Sequence, residues 1–196
     1  VPLPLVLAVF PKNDGIPTIT GLVDLTAKAV GVSERPSTYQ ITFDGKANDV
    51  TIGENPFGEV LLNGKTQNQI LTANMIATLE GRQQVFDATL QFGNETMPFN
   101  VTTIFDQTPI APFLAFVPQL KGVPITGTGT GRIEFGGELR KRNDKGEFEF
   151  TRTNLTGTAQ FTQLALNVQD TPLAASEPIV IRFNTREVDF VSARFS

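Results

Sequence analysis

The stretch NLTGTAQFTQLALNVQDTPLAASEPIVIRF, Asn154 to Phe183, decides the fold. Apolar and polar residues alternate through it, the period of a strand with one buried face. Leu155, Gly157, Ala159 and Phe161 fall on one side, and Thr156, Thr158, Gln160 and Thr162 on the other. The parity then slips by one, so that Leu164, Leu166 and Val168 become the apolar set. Such a slip sends every later side chain to the opposite face unless a bulge or bend restores it. Asp170, Thr171 and Pro172 break the pattern, and a return strand starts near Pro178 with Ile179, Ile181 and Phe183 in line.

The same grammar occurs earlier, in YQITFDGKANDVTIGENPFGEVLL, Tyr39 to Leu62. Tyr39, Ile41, Phe43, Gly45 and Ala47 share a face, the parity slips, and Val50 and Ile52 carry on. A break at Asn55-Pro56-Phe57 matches Thr171-Pro172-Leu173. Upstream, Pro11, Gly15 and Pro17 stand 107 positions before Pro118, Gly122 and Pro124. Self-similarity of this kind signals a modular architecture. It divides the chain into a first β repeat, 1–107, carrying an inserted two-strand hairpin, and a second, 108–196.

Between and around these stretches the pattern is again that of strands. Ile19, Val23, Leu25, Ala27 and Ala29 point inward from one, and Gly31 to Ser37 reads as a loop. Leu71, Ala73, Met75, Ala77 and Leu79 form an apolar face, followed by a turn at Glu80 to Gln84. Phe86, Ala88, Leu90 and Phe92 form the next, and Gly93-Asn94-Glu95 is a hairpin loop leading to Met97, Phe99 and Val101. Pro109 to Val117 suggests a short helix. Ile133, Phe135 and Leu139 oppose Arg132, Glu134 and Glu138, a charged loop spans Leu139 to Gly146, and Phe148 and Phe150 begin the strand that enters the opening stretch. Val188 to Phe195 closes the chain as a strand. An all-β, antiparallel protein follows.

With 196 residues and 40% hydrophobic content, the chain can bury a core. Its net charge of −4 comes from scattered acids and bases, and without a basic stripe no nucleic-acid partner is expected. Val1 to Phe10 is the most apolar run, about half the length needed to cross a bilayer. The bare Val1 and the ending at Ser196 just after a strand lead to the expectation of a segment of a longer protein.

There is no histidine and no cysteine. That removes the usual base near neutral pH, the commonest metal ligand and all thiolate chemistry. Glu147 and Glu149, like Glu134 and Glu138, read as solvated strand faces rather than an acid–base pair. Gly127-Thr128-Gly129-Thr130-Gly131 lacks the spacing and the lysine of a phosphate loop, and reads as a strand where another backbone approaches closely. The expectation is a non-enzyme with no metal and no cofactor.

The apolar face itself carries the information. It is rich in Phe, 16 in the chain, with no Trp and one Tyr, so it offers few polar handles. Two such faces can cover each other in a closed β-sandwich, a non-catalytic structural or scaffolding module of a cell-envelope or adhesin-like protein. One such face can instead floor an open trough for apolar ligands. Alternation alone suits both.

The phrases PITGTGTGRIEFGGEL (Pro124 to Leu139), LTGTAQFTQLALNVQDTPLAASEPIVIRF (Leu155 to Phe183) and ITFDGKANDVTIGENPFGEVLLNG (Ile41 to Gly64) resemble the bodies of the TamB and AsmA-like, bridge-like lipid transfer proteins. The resemblance covers most of the chain. It implies an elongated antiparallel sheet curled lengthwise into a half-open apolar groove, continuous across both repeats. It implies a periplasmic location within an inner-membrane-anchored protein. It implies passage of phospholipid between the membranes, or help with outer-membrane protein assembly beside an Omp85-class β-barrel. Combined with strand parity, it names a groove lining: Ile41, Phe43, Leu71, Met75, Phe86, Leu90, Phe92, Phe99, Ile133, Phe135, Phe148, Phe150, Leu155, Phe161, Leu164, Leu166, Ile179, Ile181 and Phe183. No catalytic residue comes with it.

Overall fold

The computed structural model describes residues 18–32, 35–52, 55–79, 81–114, 123–144 and 148–194. The alternating stretches are strands: β1 (Ile19–Val32), β2 (Arg35–Ile52), β3 (Asn55–Gln67), β4 (Ile70–Leu79), β5 (Arg82–Gln91), β6 (Pro98–Pro109), β7 (Ile125–Arg142), β8 (Phe148–Val168), β9 (Thr171–Ala174), β10 (Ile179–Asn184) and β11 (Val188–Ser192). All eleven belong to one unclosed antiparallel sheet in the order β1-β2-β3-β4-β5-β6-β7-β8-β10-β11, with β9 also paired to β8. Among the described residues there is no second sheet, so the two-sheet sandwich is not the architecture.

Neighbours in sequence are neighbours in space, and the joints show why. Asn68 and Gln69 join β3 to β4 with φ of 50° and 64°, and Gln169 and Asp170 join β8 to β9 with 48° and 65°. Two successive left-handed residues match the right-handed twist of the flanking strands. The break at Pro172 is local. β9 and β10 share one edge of the 21-residue β8, the first against Ala165–Val168 and the second against Thr156–Phe161.

Both parity slips are β-bulges. In β2 the register shifts between Ala47 and Val50, with Asp49 at φ 52°. In β8, Thr130 pairs with Gln163 and Gly131 with Phe161, leaving Thr162 unopposed. The extra residue restores the face: Val50 and Ile52 are buried with Ala47, and Leu164 with Phe161.

These bulges seat two cores on the apolar side. One gathers Val23, Ala47, Val50, Ile52, Phe57, Val60, Ala77 and Leu79. The other gathers Phe105, Ile110, Ala159, Phe161, Leu164 and Ile179. A single helical turn, α1 (Ala111–Leu114), lies between β6 and β7 inside the run expected to be a short helix. Its Phe113 packs against both cores.

Three boundaries differ from the sequence reading. The loop at Gly31–Ser37 is a tight connection: β1 runs to Val32 and β2 starts at Arg35. Thr38 Oγ1 closes it, accepting from Val32 N at 2.8 Å and donating to Arg35 O at 2.7 Å. The charged run from Leu139 is strand as far as Arg142, because cross-strand pairing such as Lys141 with Glu149 (3.1 Å) suits long polar side chains. Gln84, read as part of a turn, is a buried residue of β5. Val1–Phe10 and Glu147 lie outside the described residues.

Candidate apolar binding face

Cross-strand partners share a face, so the register assigns each side chain to one side of the sheet. One unbroken row crosses ten strands: Ala27, Phe43, Gly64, Ala73, Ala88, Val101, Phe135, Gly157, Phe183, Val188. A second runs beside it two residues along each strand: Leu25, Gly45, Leu62, Met75, Phe86, Thr103, Ile133, Ala159, Ile181, Phe190. The row between them belongs to the other face and is polar throughout: Thr26, Asp44, Asn63, Asn74, Asp87, Thr102, Glu134, Thr158, Arg182, Asp189. On that face Asn74 Nδ2 donates to Asp87 Oδ1 at 2.9 Å.

Neither apolar row contains a charge. Thr103 is the one hydroxyl in them, and it is turned to the backbone, donating to Val85 O at 2.7 Å. Gln84 joins it: the amide nitrogen donates to Thr103 Oγ1 and Ile104 O, and the amide oxygen accepts from Thr108 Oγ1 at 2.9 Å. Every polar atom of that buried side chain is therefore engaged.

Seventeen of the nineteen sequence-derived lining residues have described side chains. Phe43, Met75, Phe86, Ile133, Phe135, Ile181 and Phe183 stand in the two apolar rows. Ile41, Leu71, Leu90 and Phe99 stand in a third row on the same face, where Ile41 pairs with Ala29 and Leu90 bridges Leu71 to Phe99. Leu155 flanks Gly157, just beyond the left-handed Asn154. All of these are half-buried.

Phe161, Leu164 and Ile179 are different, since they are buried inside a core, with Leu166 packed partly buried against it. Phe92 is also buried, past the end of β5, with its ring edge-on to Tyr39 at 5.3 Å. Phe148 and Phe150 stand opposite Arg142 and Arg140 in register, beyond two shifts in the β7–β8 ladder, and their side chains are outside the described set.

A cleft of about 290 Å³ opens in the middle of this face, lined by Leu71, Leu90, Phe99, Val101, Phe135 and Leu155, with Leu139 at its margin. Val101 and Leu139 were legible as strand residues but not singled out. Phe57, Phe105 and Phe113 were missed as a group. Their rings meet: Phe113 lies 5.9 Å from Phe57, 6.1 Å from Phe86 and 4.9 Å from Phe105. Nothing in the spacing of these residues along the chain signals that meeting, which needs α1 to fold back over the sheet. A separate polar cleft near Glu138 and Asn154 holds ion pairs, Arg142 to Glu95 at 3.1 Å among them.

Among the described residues no group of three or more Asp or Glu side chains is placed to hold a metal ion. No protein-family model matches the chain, and neither curated proteins nor solved structures contain a match.

Proposed function

We propose that the chain is a lipid-shielding segment of an envelope protein, which covers phospholipid acyl chains while they move between the inner and outer membranes. The observation that carries this reading is the apolar cleft among Leu71, Leu90, Phe99, Val101, Phe135 and Leu155, open on one face of a single unclosed sheet. Each methylene removed from water contributes about 0.8 kcal/mol. A floor of similar contacts repeated from strand to strand provides that gain at each position, so a chain slides rather than lodges.

Curling of the sheet into a half-open groove belongs to the same proposal. Tyr39 on β2 touches Phe92 at the end of β5, and Phe113 touches both Phe57 on β3 and Phe105 on β6. Three strand spacings cover about 14 Å in a flat sheet. Contacts across them support a concave apolar side. The periplasmic setting, the membrane anchor and the Omp85-class partner come from the family resemblance, as does a role in outer-membrane protein assembly.

The test is extraction of the purified chain, with mass spectrometry of what co-purifies, and photo-crosslinking from Phe43 and Phe135. Phospholipid crosslinked at both positions is the expected result. A chain that emerges lipid-free and forms no crosslink in cells ends the reading. Phe43→Asp is expected to abolish crosslinking from position 135 while the fold survives, since Phe43 is half-buried. Phe161→Asp is expected to unfold the chain, because Phe161 is 8% exposed and sits inside a core.

A further inference from the structure

We infer that glycine seats beneath aromatic rings set the clearance of the apolar face, and that the occupant they admit is an unbranched alkyl chain. This rests on the lipid-shielding reading. The central row reads Ala27, Phe43, Gly64, Ala73, Ala88, Val101, Phe135, Gly157, Phe183, Val188. Its middle, from Gly64 to Val101, is a bed of small side chains, with rings on both sides. The rings do not stand upright beside that bed. The tip of Phe43 lies where a Cβ on Gly64 would be, and the tip of Phe183 does the same at Gly157. Off the row, Phe161 overlies Gly129, with ring atoms 3.1 Å from the missing Cβ, and Phe99 approaches Gly137 to 3.2 Å. Phe43, Phe99 and Phe183 lie down over their neighbours' vacancies and pave the face instead of obstructing it, while Phe161 fills its seat inside a core.

The chemistry of the floor selects its occupant. A peptide laid across its middle would bring N–H and C=O groups and find no partner, since the row has no polar side chain and the backbone groups of the interior strands are paired within the ladders. A hydrocarbon chain has no such groups to satisfy. A flexible linear chain also conforms to a paved, low-relief surface, whereas a rigid fused-ring lipid needs a deeper, shaped pocket.

The decisive variant is Gly64→Ala. The three atoms nearest its methyl all belong to the far end of the Phe43 ring, so the ring is displaced rather than the strand. At Gly157 the same methyl also meets Phe135 Cβ at 2.8 Å, which sits too near the backbone to yield, so that site is not used. The probe is a lysophospholipid with a saturated sixteen-carbon chain, titrated below its micellar concentration against the full chain. Gly64→Ala is expected to keep its circular dichroism spectrum and to bind about tenfold more weakly, the loss of contact with roughly two methylenes. The double variant Gly64→Ala/Phe43→Ala is expected to bind within about threefold of Phe43→Ala alone, a non-additivity that a backbone role for the glycine would not produce.

Equal binding by Gly64→Ala and the wild-type chain overturns the inference while leaving the lipid reading standing. Unfolding of Gly64→Ala overturns it too, because the collision would then fall on the backbone. A wild-type chain that takes up no lysophospholipid removes both.

Discussion

The ring of Phe113 touches Phe57, Phe86 and Phe105, and Phe105 in turn lies 5.9 Å from Phe161. Four strands and the helical turn are thereby tied by aromatic contact. Phe113 is half-buried, so Phe113→Ala is expected to cost about 2–3 kcal/mol, below the ~3–5 of a fully enclosed ring. Urea denaturation followed by circular dichroism measures it. Gln84 is 1% exposed and has every polar atom engaged. Gln84→Ala leaves Thr108 Oγ1 and Ile104 O to find other partners inside the protein, and the expected loss is about 1–3 kcal/mol in the same assay. A loss below about 0.5 kcal/mol would mean that water replaces the amide. At this scale the sequence spoke unevenly. Phe43 and Phe135 could be placed by parity alone. Gln84 could not, because a glutamine on an apolar face looks like a turn residue until its partners on the neighbouring strand are known.

Elements were the most legible level, and the bulges show the reason. A strand keeps strict parity, so a single extra residue is visible as a phase change in the pattern, as between Phe161 and Leu164. Deleting Thr162 removes the bulge and leaves Phe161, Gln163 and Leu164 in strict alternation, so Leu164, Leu166 and Val168 are expected to keep the apolar face. Deleting Ala165 instead turns Leu166 and Val168 to the polar face, and weakened packing of the core around Phe105 and Ile179 is expected, read as reduced amide dispersion in a proton–nitrogen correlation spectrum. Deleting Asn184, at the outer end of β10, is expected to leave that core intact. Connections were less legible. The turn at Asn68-Gln69 contains no glycine or proline, and the strained-looking φ values there are supplied by the twist of β3 and β4 rather than advertised by composition. The helical turn was expected only vaguely, since four residues are too few to carry a helical period.

At the scale of the molecule, the sheet is a meander whose edge strands are the least protected. Along β1 only Val23 is buried, and every residue of β11 is exposed. Native-state hydrogen exchange is expected to be fastest in β11 and the outer half of β1 and slowest in β3 to β8, where both neighbours and both cores contribute. Uniform protection across all strands would instead indicate a single all-or-none unit. The ion pairs found among the described residues lie on exposed side chains, and raising salt is expected to shift the melting temperature by only a degree or two. All-β character and one-sided strands were readable from alternation. That the strands form one sheet was not, because a one-sided strand fits a sandwich equally well.

The order of strands also governs how the molecule responds to being pulled. With β1 to β8 each held by the strand before and after, and β9 and β10 both held by β8, tension applied at the two chain ends acts on the outermost hydrogen bonds first and opens them in succession. Extension in an optical trap should proceed as a staircase of small steps at modest force, hairpin by hairpin, with the ring cluster around Phe113 giving the tallest step. A structure held across a gap by its ends would then yield gradually, lengthening under load before it loses its centre.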